Sequence, residues 1–179
     1  DGVCNYFIMN SKVAFMQDRV QGIIDTIAEK CPNSTLAYEP PKIVLAEAVE
    51  TFSNILTACP DVQVVCTGYS TCATNIIAEW LPEIQRKGGD LSKYGVFTCD
   101  CTNLDLEYMA QTVKGENILR STVDLGLKEL VPMGMITQCE AAIRGLDCEY
   151  ADGEVVTFPH DLVDLTNYEE TAAKYNVEI

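Results

Sequence analysis

Apolar residues along the chain fall into short continuous runs that alternate with stretches of helical period. Residues 3–9 (VCNYFIM) have the length and the β-branched and aromatic content of a buried strand. Over residues 15–30, Val20, Ile23, Ile24 and Ile27 recur at the spacing of one helix face. Cys31-Pro32-Asn33-Ser34 stops that helix, because proline cannot continue it and Asn-Ser favours a turn. Residues 36–38 form a short strand candidate. Leu45, Val49, Phe52, Ile55 and Leu56 mark a second helix over 42–59, which Pro60-Asp61 ends before a strand at 62–66. A third helix over 70–87 contains Pro82, which predicts a kink or an early break. Beyond the Gly88-Gly89 turn come a strand at 94–99, a short helix at 104–113 and a strand at 118–123. A long helix over 127–144 then stops at Gly145, a residue type suited to the position after a helix. Asp152-Gly153 predicts a tight turn before an extended 154–158. Residues 162–165 are extended, and Asn167 or Thr166 caps a last short helix.

Strands alternating with helices of this length predict βαβ units, hence an α/β fold: a doubly wound parallel sheet in a three-layer αβα sandwich. Ligands bind such sheets beyond the carboxyl ends of the strands. Attention therefore falls on residues 10–17, 39–43, 68–71, 100–103 and 124–125.

Charge narrows the partners. Twelve Lys and Arg against 27 Asp and Glu leave a net charge of −15, which argues against nucleic acid or an anionic membrane surface. The one histidine, His160, rules out metal sites built from several histidines. No apolar run is long enough to span a bilayer, and the closeness of Asp1 to the first buried segment leads to the expectation of no signal peptide within this sequence. Nine cysteines are an odd number with no CxxC pair. Cys4, Cys66 and Cys99 sit in apolar strand-like runs, so the thiols are expected to be inert and buried in the core.

No GxGxxG or GxxxxGK[ST] motif is present, which leaves a nucleotide cradle without support. No GxSxG elbow accompanies His160, so a hydrolytic triad lacks its context, and no enzyme is expected. The strand ends instead carry Asn10, Ser11, Gln17, Arg19, Tyr69, Ser70, Thr71, Asp100, Thr102 and Asn103. Hydroxyls, a guanidinium and a carboxylate suit a small polyhydroxylated or zwitterionic molecule. Asp100 either contacts such a ligand or caps the helix that starts near Leu104. Arg19 in the first turn of a helix opposes the macrodipole, which points to a separate purpose; the alternative is a solvated surface arginine.

Several segments together resemble a known family. Asp18-Arg19-Val20-Gln21-Gly22-Ile23 is similar to the R-x-x-G-[FI] element of type 1 periplasmic sugar-binding proteins. Residues 54–65 (NILTACPDVQVV) resemble its run from the second helix into the next strand. Gly95 to Asp100 (GVFTCD) stands where the family has a G-x-D strand end. Ser121-Thr122-Val123, the long helix, Gly145 and LVDLTN at 162–167 follow its closing pattern in order. The resemblance implies that residues 1–179 correspond to the C-terminal lobe of a solute-binding protein, with 127–158 packing on the absent N-terminal lobe. It implies a carbohydrate-capturing subunit of an ABC importer, extracytoplasmic and lipid-anchored, partnered by a permease and without cofactor or catalysis. The alternative is the effector-binding domain of a lac-repressor-type regulator or sensor. Arg19 and Asp100 match its sugar-contacting pair, with Gln17 beside them. Tyr69 stands near a contacting asparagine, Ile43 near an aromatic stacking position and Leu125 near a hinge glutamine. The helix orphaned by the missing lobe implies a homodimer or a complementary N-terminal fragment.

Overall fold

The computed structural model describes residues 3–144 and 160–179. In chain order these form β1 (Asn5–Ser11), α1 (Ala14–Lys30), β2 (Thr35–Leu36), β3 (Lys42–Ile43), α2 (Ala48–Ala58) and β4 (Val64–Thr67). There follow α3 (Ser70–Arg86), β5 (Gly95–Phe97), α4 (Asn103–Val113), β6 (Leu119–Asp124), α5 (Leu127–Arg144), β7 (Asp161–Asp164) and α6 (Tyr168–Tyr175). The expected 154–158 strand, the Asp152-Gly153 turn, Gly145 and Cys148 lie outside the described residues.

The strands form one sheet in the order β2-β1-β4-β5-β6-β7, with β3 on the carboxyl end of β1. The pairings are parallel except β6 with β7, which run antiparallel from Ser121↔Asp164 to Asp124↔Asp161. The α/β doubly wound expectation therefore holds, with an antiparallel edge strand added. The chain reverses direction in the strand order at β1 and β4, so this is the topological switch point at which open α/β sheets bind ligands.

Alternation along the strands divides the core in two. Phe7, Met9, Val65, Val96, Leu119 and Val163 point to one face, where α2, α3, α4 and α6 bury them against Phe52, Trp80, Leu106 and Met109. Trp80 meets Phe52 and Tyr94 edge-on, with ring centroids 5.3 and 5.4 Å away. Tyr6, Ile8 and Cys66 point to the other face, where α1 supplies Val20 with Ile23, Ile24 and Ile27 half-buried around it.

Four sequence expectations need correction. Lys42 and Ile43 do not begin the second helix; they pair with Asn10 and Ser11, and α2 starts only after a 3-10 turn at Leu45–Glu47. Backbone pairing along the open edge of β1 outcompetes helical periodicity there. Of the kink or early break expected at Pro82, the break does not occur, and α3 runs on to Arg86. Ala78, whose carbonyl loses its partner, is exposed, so water can satisfy it. The thiols are also less uniform than a core of inert cysteines. Cys66 and Cys72 are buried, and burial pushes both up to about 12, but Cys31 and Cys139 are exposed. Finally, Asn167 precedes α6 without a side-chain cap on it; its Oδ1 accepts from the Asp164 amide instead, at 2.8 Å.

At the end of β6, Asp124 is almost fully buried and accepts from the Gly126 amide at 2.9 Å, from Lys174 Nζ at 3.4 Å and from the Tyr175 hydroxyl. These donors hold its carboxyl below the ordinary value of 3.8 despite the opposing effect of burial. A depressed carboxyl contributes stability that is complete above its unfolded value and is lost as pH falls through the folded one. Asp124→Asn should therefore cost about 1–3 kcal/mol at pH 7 in urea unfolding. The gap to wild type should narrow as the pH is lowered past 3.8.

Candidate functional site

A helix and two loops converge at the switch point. Arg19 rises from the second turn of α1, Gly68 follows β4, and Asp100 follows β5. Arg19 Nη1 donates to the Gly68 carbonyl at 2.7 Å and to Asp100 Oδ1 at 3.1 Å, and touches Met16 Sδ at 3.6 Å. The guanidinium lies 5.5 Å from the ring centre of Phe15, itself well exposed. Both charged side chains keep about a quarter of their surface open, 27% for Arg19 and 24% for Asp100. All the polar contacts come from one nitrogen. Among the described residues this leaves Nε and Nη2 free to donate to a ligand, beside a carboxylate that can accept from one.

Asp100 is positioned by its backbone. It has φ 92° and Cys101 has φ 46°, two successive left-handed residues that are not glycine. Such conformations cost on the order of 1–3 kcal/mol and persist where the surroundings impose them. Here the Asp100 amide donates to the Val123 carbonyl at 2.9 Å and the Cys101 amide to Thr122 Oγ1 at 3.1 Å, so β6 dictates the turn.

Asp100 does not cap α4. That role belongs to Thr102, whose Oγ1 accepts from the Asp105 amide at 3.3 Å. Asp105 returns the bond, accepting from the Thr102 amide at 2.7 Å and hydroxyl at 3.0 Å, and also from Ser70 Oγ at 2.9 Å. Asp105 has no exposed surface, and burial raises its carboxyl more than these donors lower it. The capping box thus ties the start of α3 to that of α4. Thr67 and Thr98 share a further hydrogen bond of 2.8 Å across the ends of β4 and β5. With the cap assigned elsewhere, nothing structural among the described residues occupies the Asp100 carboxylate except Arg19.

The other expected residues are spread more widely. Gln17 donates to the Lys12 carbonyl at 3.4 Å and is half-buried on α1. Tyr69 precedes α3 and packs against the main core; burial and the neighbouring Cys72 thiol push its phenol up to about 12. Ile43 is a core residue, and Leu125 is half-buried just before Gly126, which takes φ 62° to launch α5. His160 is exposed. Among the described residues no cluster of three His, Cys, Asp or Glu could hold a metal. None of the helices there is long and apolar enough to cross a membrane. Phe15 and Gly68 escaped the sequence argument. Phe15 lies off the Val20–Ile27 stripe beside a strand end, and that displaced aromatic was the available signal; a backbone carbonyl leaves none.

No known protein-family profile and no curated protein matches the sequence. Solved structures do share its fold. An ABC transporter solute-binding protein from Bacillus halodurans C-125, with bound myo-inositol, superposes with a TM-score of 0.74 at 24% identity, over 97% of this chain and 55% of that one. One from Agrobacterium vitis with bound allitol gives 0.75 at 13% identity, over 96% and 57%. A periplasmic solute-binding protein from Actinobacillus succinogenes 130z with bound D-allose gives 0.73 at 19%, over 94% and 54%. The chain spans about half the length of these proteins. Its fold is that of one lobe of the type 1 periplasmic sugar-binding proteins, as the resemblance in sequence implied.

Because the left-handed backbone at position 100 is independent of the carboxylate, two truncations should separate the effects. Asp100→Gly should be more stable than Asp100→Ala by about 1–2 kcal/mol in chemical denaturation, although both lose the ion pair. Equal stabilities would mean that the turn carries no strain.

Proposed function

We propose that this chain is the ligand-gripping lobe of an extracytoplasmic protein that captures a sugar or polyol for an ABC importer and performs no chemistry on it. The Arg19–Asp100 pair carries the proposal: a donor and an acceptor held side by side at the switch point, with unused hydrogen-bonding capacity and no cap or core role. A polyhydroxylated ligand supplies both complements, since each hydroxyl donates one bond and accepts others. Phe15, exposed next to the guanidinium, offers an apolar face for the ligand's carbon skeleton. The fold's occurrence among proteins solved with allose, allitol and myo-inositol agrees with this chemistry. In such a protein Gln17, Tyr69 and Leu125 border the cleft while Ile43, a core residue, supports its floor. The permease docks outside the cleft, and the cell surface or periplasm is the place of work, with a lipid anchor holding the complete protein there.

One lobe presents half of a cleft, so the chain alone should bind polyols only weakly. Calorimetry or amide chemical-shift titration with allose, allitol and inositol measures this. Asp100→Ala should weaken binding at least tenfold, because an acceptor for ligand hydroxyls is removed and Arg19 is left without its charged partner. Arg19→Ala should do the same. Unchanged affinity in both variants would remove the pair from the site, and no response to any polyol or sugar would overturn the ligand class.

A further inference from the structure

The edge of the sheet opposite Arg19 and Asp100 carries a second concavity. It lies beside the carboxyl ends of α2 and α3, where the chain turns into the amino ends of β4 and β5, and has a volume of about 470 Å³. Small-molecule sites have volumes of this order. Its walls are built from described residues and include none from α5. A second lobe that closes over Arg19 and Asp100 approaches the other edge and leaves this cavity open.

Trp80 forms part of the wall with only 3% of its surface exposed. Edge-on contacts to Phe52 and Tyr94 fix its ring. Its indole N–H makes no hydrogen bond among the described residues, whereas a buried indole ordinarily finds an acceptor. Every fully enclosed side-chain nitrogen and oxygen of those residues has a partner, so this N–H still reaches solvent, and the solvent that Trp80 borders is the cavity's. The cavity therefore holds a rigid, buried donor that only a molecule inside it can satisfy. Ser53 and Tyr94 line it as well, and their hydroxyls are likewise uncommitted among the described residues.

Charge narrows the ligand further. Glu79, Glu83 and Lys87 line the cavity as a row at four-residue intervals along α3 and its end. Lys87 lies 2.8 Å from Glu83 and holds that carboxyl below its ordinary value of 4.5. Arg86 also serves Glu83, at 3.5 Å. Glu79 has no cation among the described residues and faces a like charge one turn on, an unfavourable arrangement along a helix. Leu56 and Pro60 add an apolar wall.

We propose that this cavity binds a small hydroxylated amine, an amino sugar or amino alcohol. Its ammonium pairs with Glu79, its hydroxyl oxygens accept from the Trp80 N–H, and its carbon skeleton lies against Leu56 and Pro60. A carboxylate on the same molecule would meet Glu79 and Glu83 as like charges, which disfavours amino acids. The site is separate from the Arg19–Asp100 pair and stands or falls without it.

Trp80 is the chain's one tryptophan, so its indole N–H gives a single resonance in a nitrogen–proton spectrum. Titration with glucosamine, below the pKa of its amine and at constant ionic strength, should move that resonance to saturation. Glucose has the same skeleton without the charge, and its midpoint should be higher by about tenfold or more. Glu79→Gln alters an exposed side chain of α3, and should raise the glucosamine midpoint by about tenfold or more. An indole signal that glucosamine leaves in place, one that glucose moves equally well, or a midpoint unchanged in Glu79→Gln would each overturn the proposal.

Discussion

The Arg19–Asp100 ion pair is the constraint on which the carboxyl edge of this lobe depends. Among the described residues it joins the one helix packed on its face of the sheet to the turn after β5. It does so across β4, whose Gly68 carbonyl shares the same nitrogen at 2.7 Å. A partly open pair of this kind contributes little to stability, about 1 kcal/mol at most, because water competes for both partners. Its value lies in orientation. The guanidinium is held against Phe15 with part of its donor fork uncommitted, and the carboxylate is fixed by a backbone that only the neighbouring strand can enforce.

Around that pair the polar groups are engaged in building the edge itself. Asp105, Thr102 and Ser70 satisfy one another while fixing the starts of two helices, and Thr67 and Thr98 join two strand ends. Among the described residues no buried side-chain nitrogen or oxygen is left without a hydrogen bond. The lobe therefore separates residues that assemble the rim from the few that remain available above it. Asp100 is the informative case, since a helix cap and a ligand contact look alike in a sequence. The structure gives the cap to Thr102.

The alternation of apolar runs with helical periods was legible because each element buries a face, and burial writes a period into the chain. β1, α1, α3, α4 and β6 follow that pattern closely. What escaped was governed by other physics. The two-residue strand Lys42–Ile43 is held by backbone bonds that any side chain permits. The antiparallel β7 has the same local pattern as a parallel strand, because direction is a property of the partner. In the site, Asp100 announced itself as a charge at the end of an apolar strand and Arg19 through its R-x-x-G-I context. α1 begins at Ala14, so Arg19 lies in its second turn, beyond the reach of the macrodipole argument. Gly68 acts through a carbonyl every residue possesses, and the Lys174–Asp124–Tyr175 cluster joins residues 50 positions apart with no motif between them.

Unequal covering of the two sheet faces follows from the same physics of burial. Helices that return to their own sheet bury their stripe, and α5, whose described side chains are exposed apart from half-buried Leu130, does not. The central claim, however, concerns the uncommitted donors of Arg19, and the side-chain nitrogen spectrum of the arginines reads them directly. Titration with a polyol should shift the Arg19 Nε–H resonance. That of Arg120, whose donors are already committed to the Leu91 and Tyr94 carbonyls, should stay in place. An Arg19 signal that does not move, or moves no more than that of Arg120, would contradict the account.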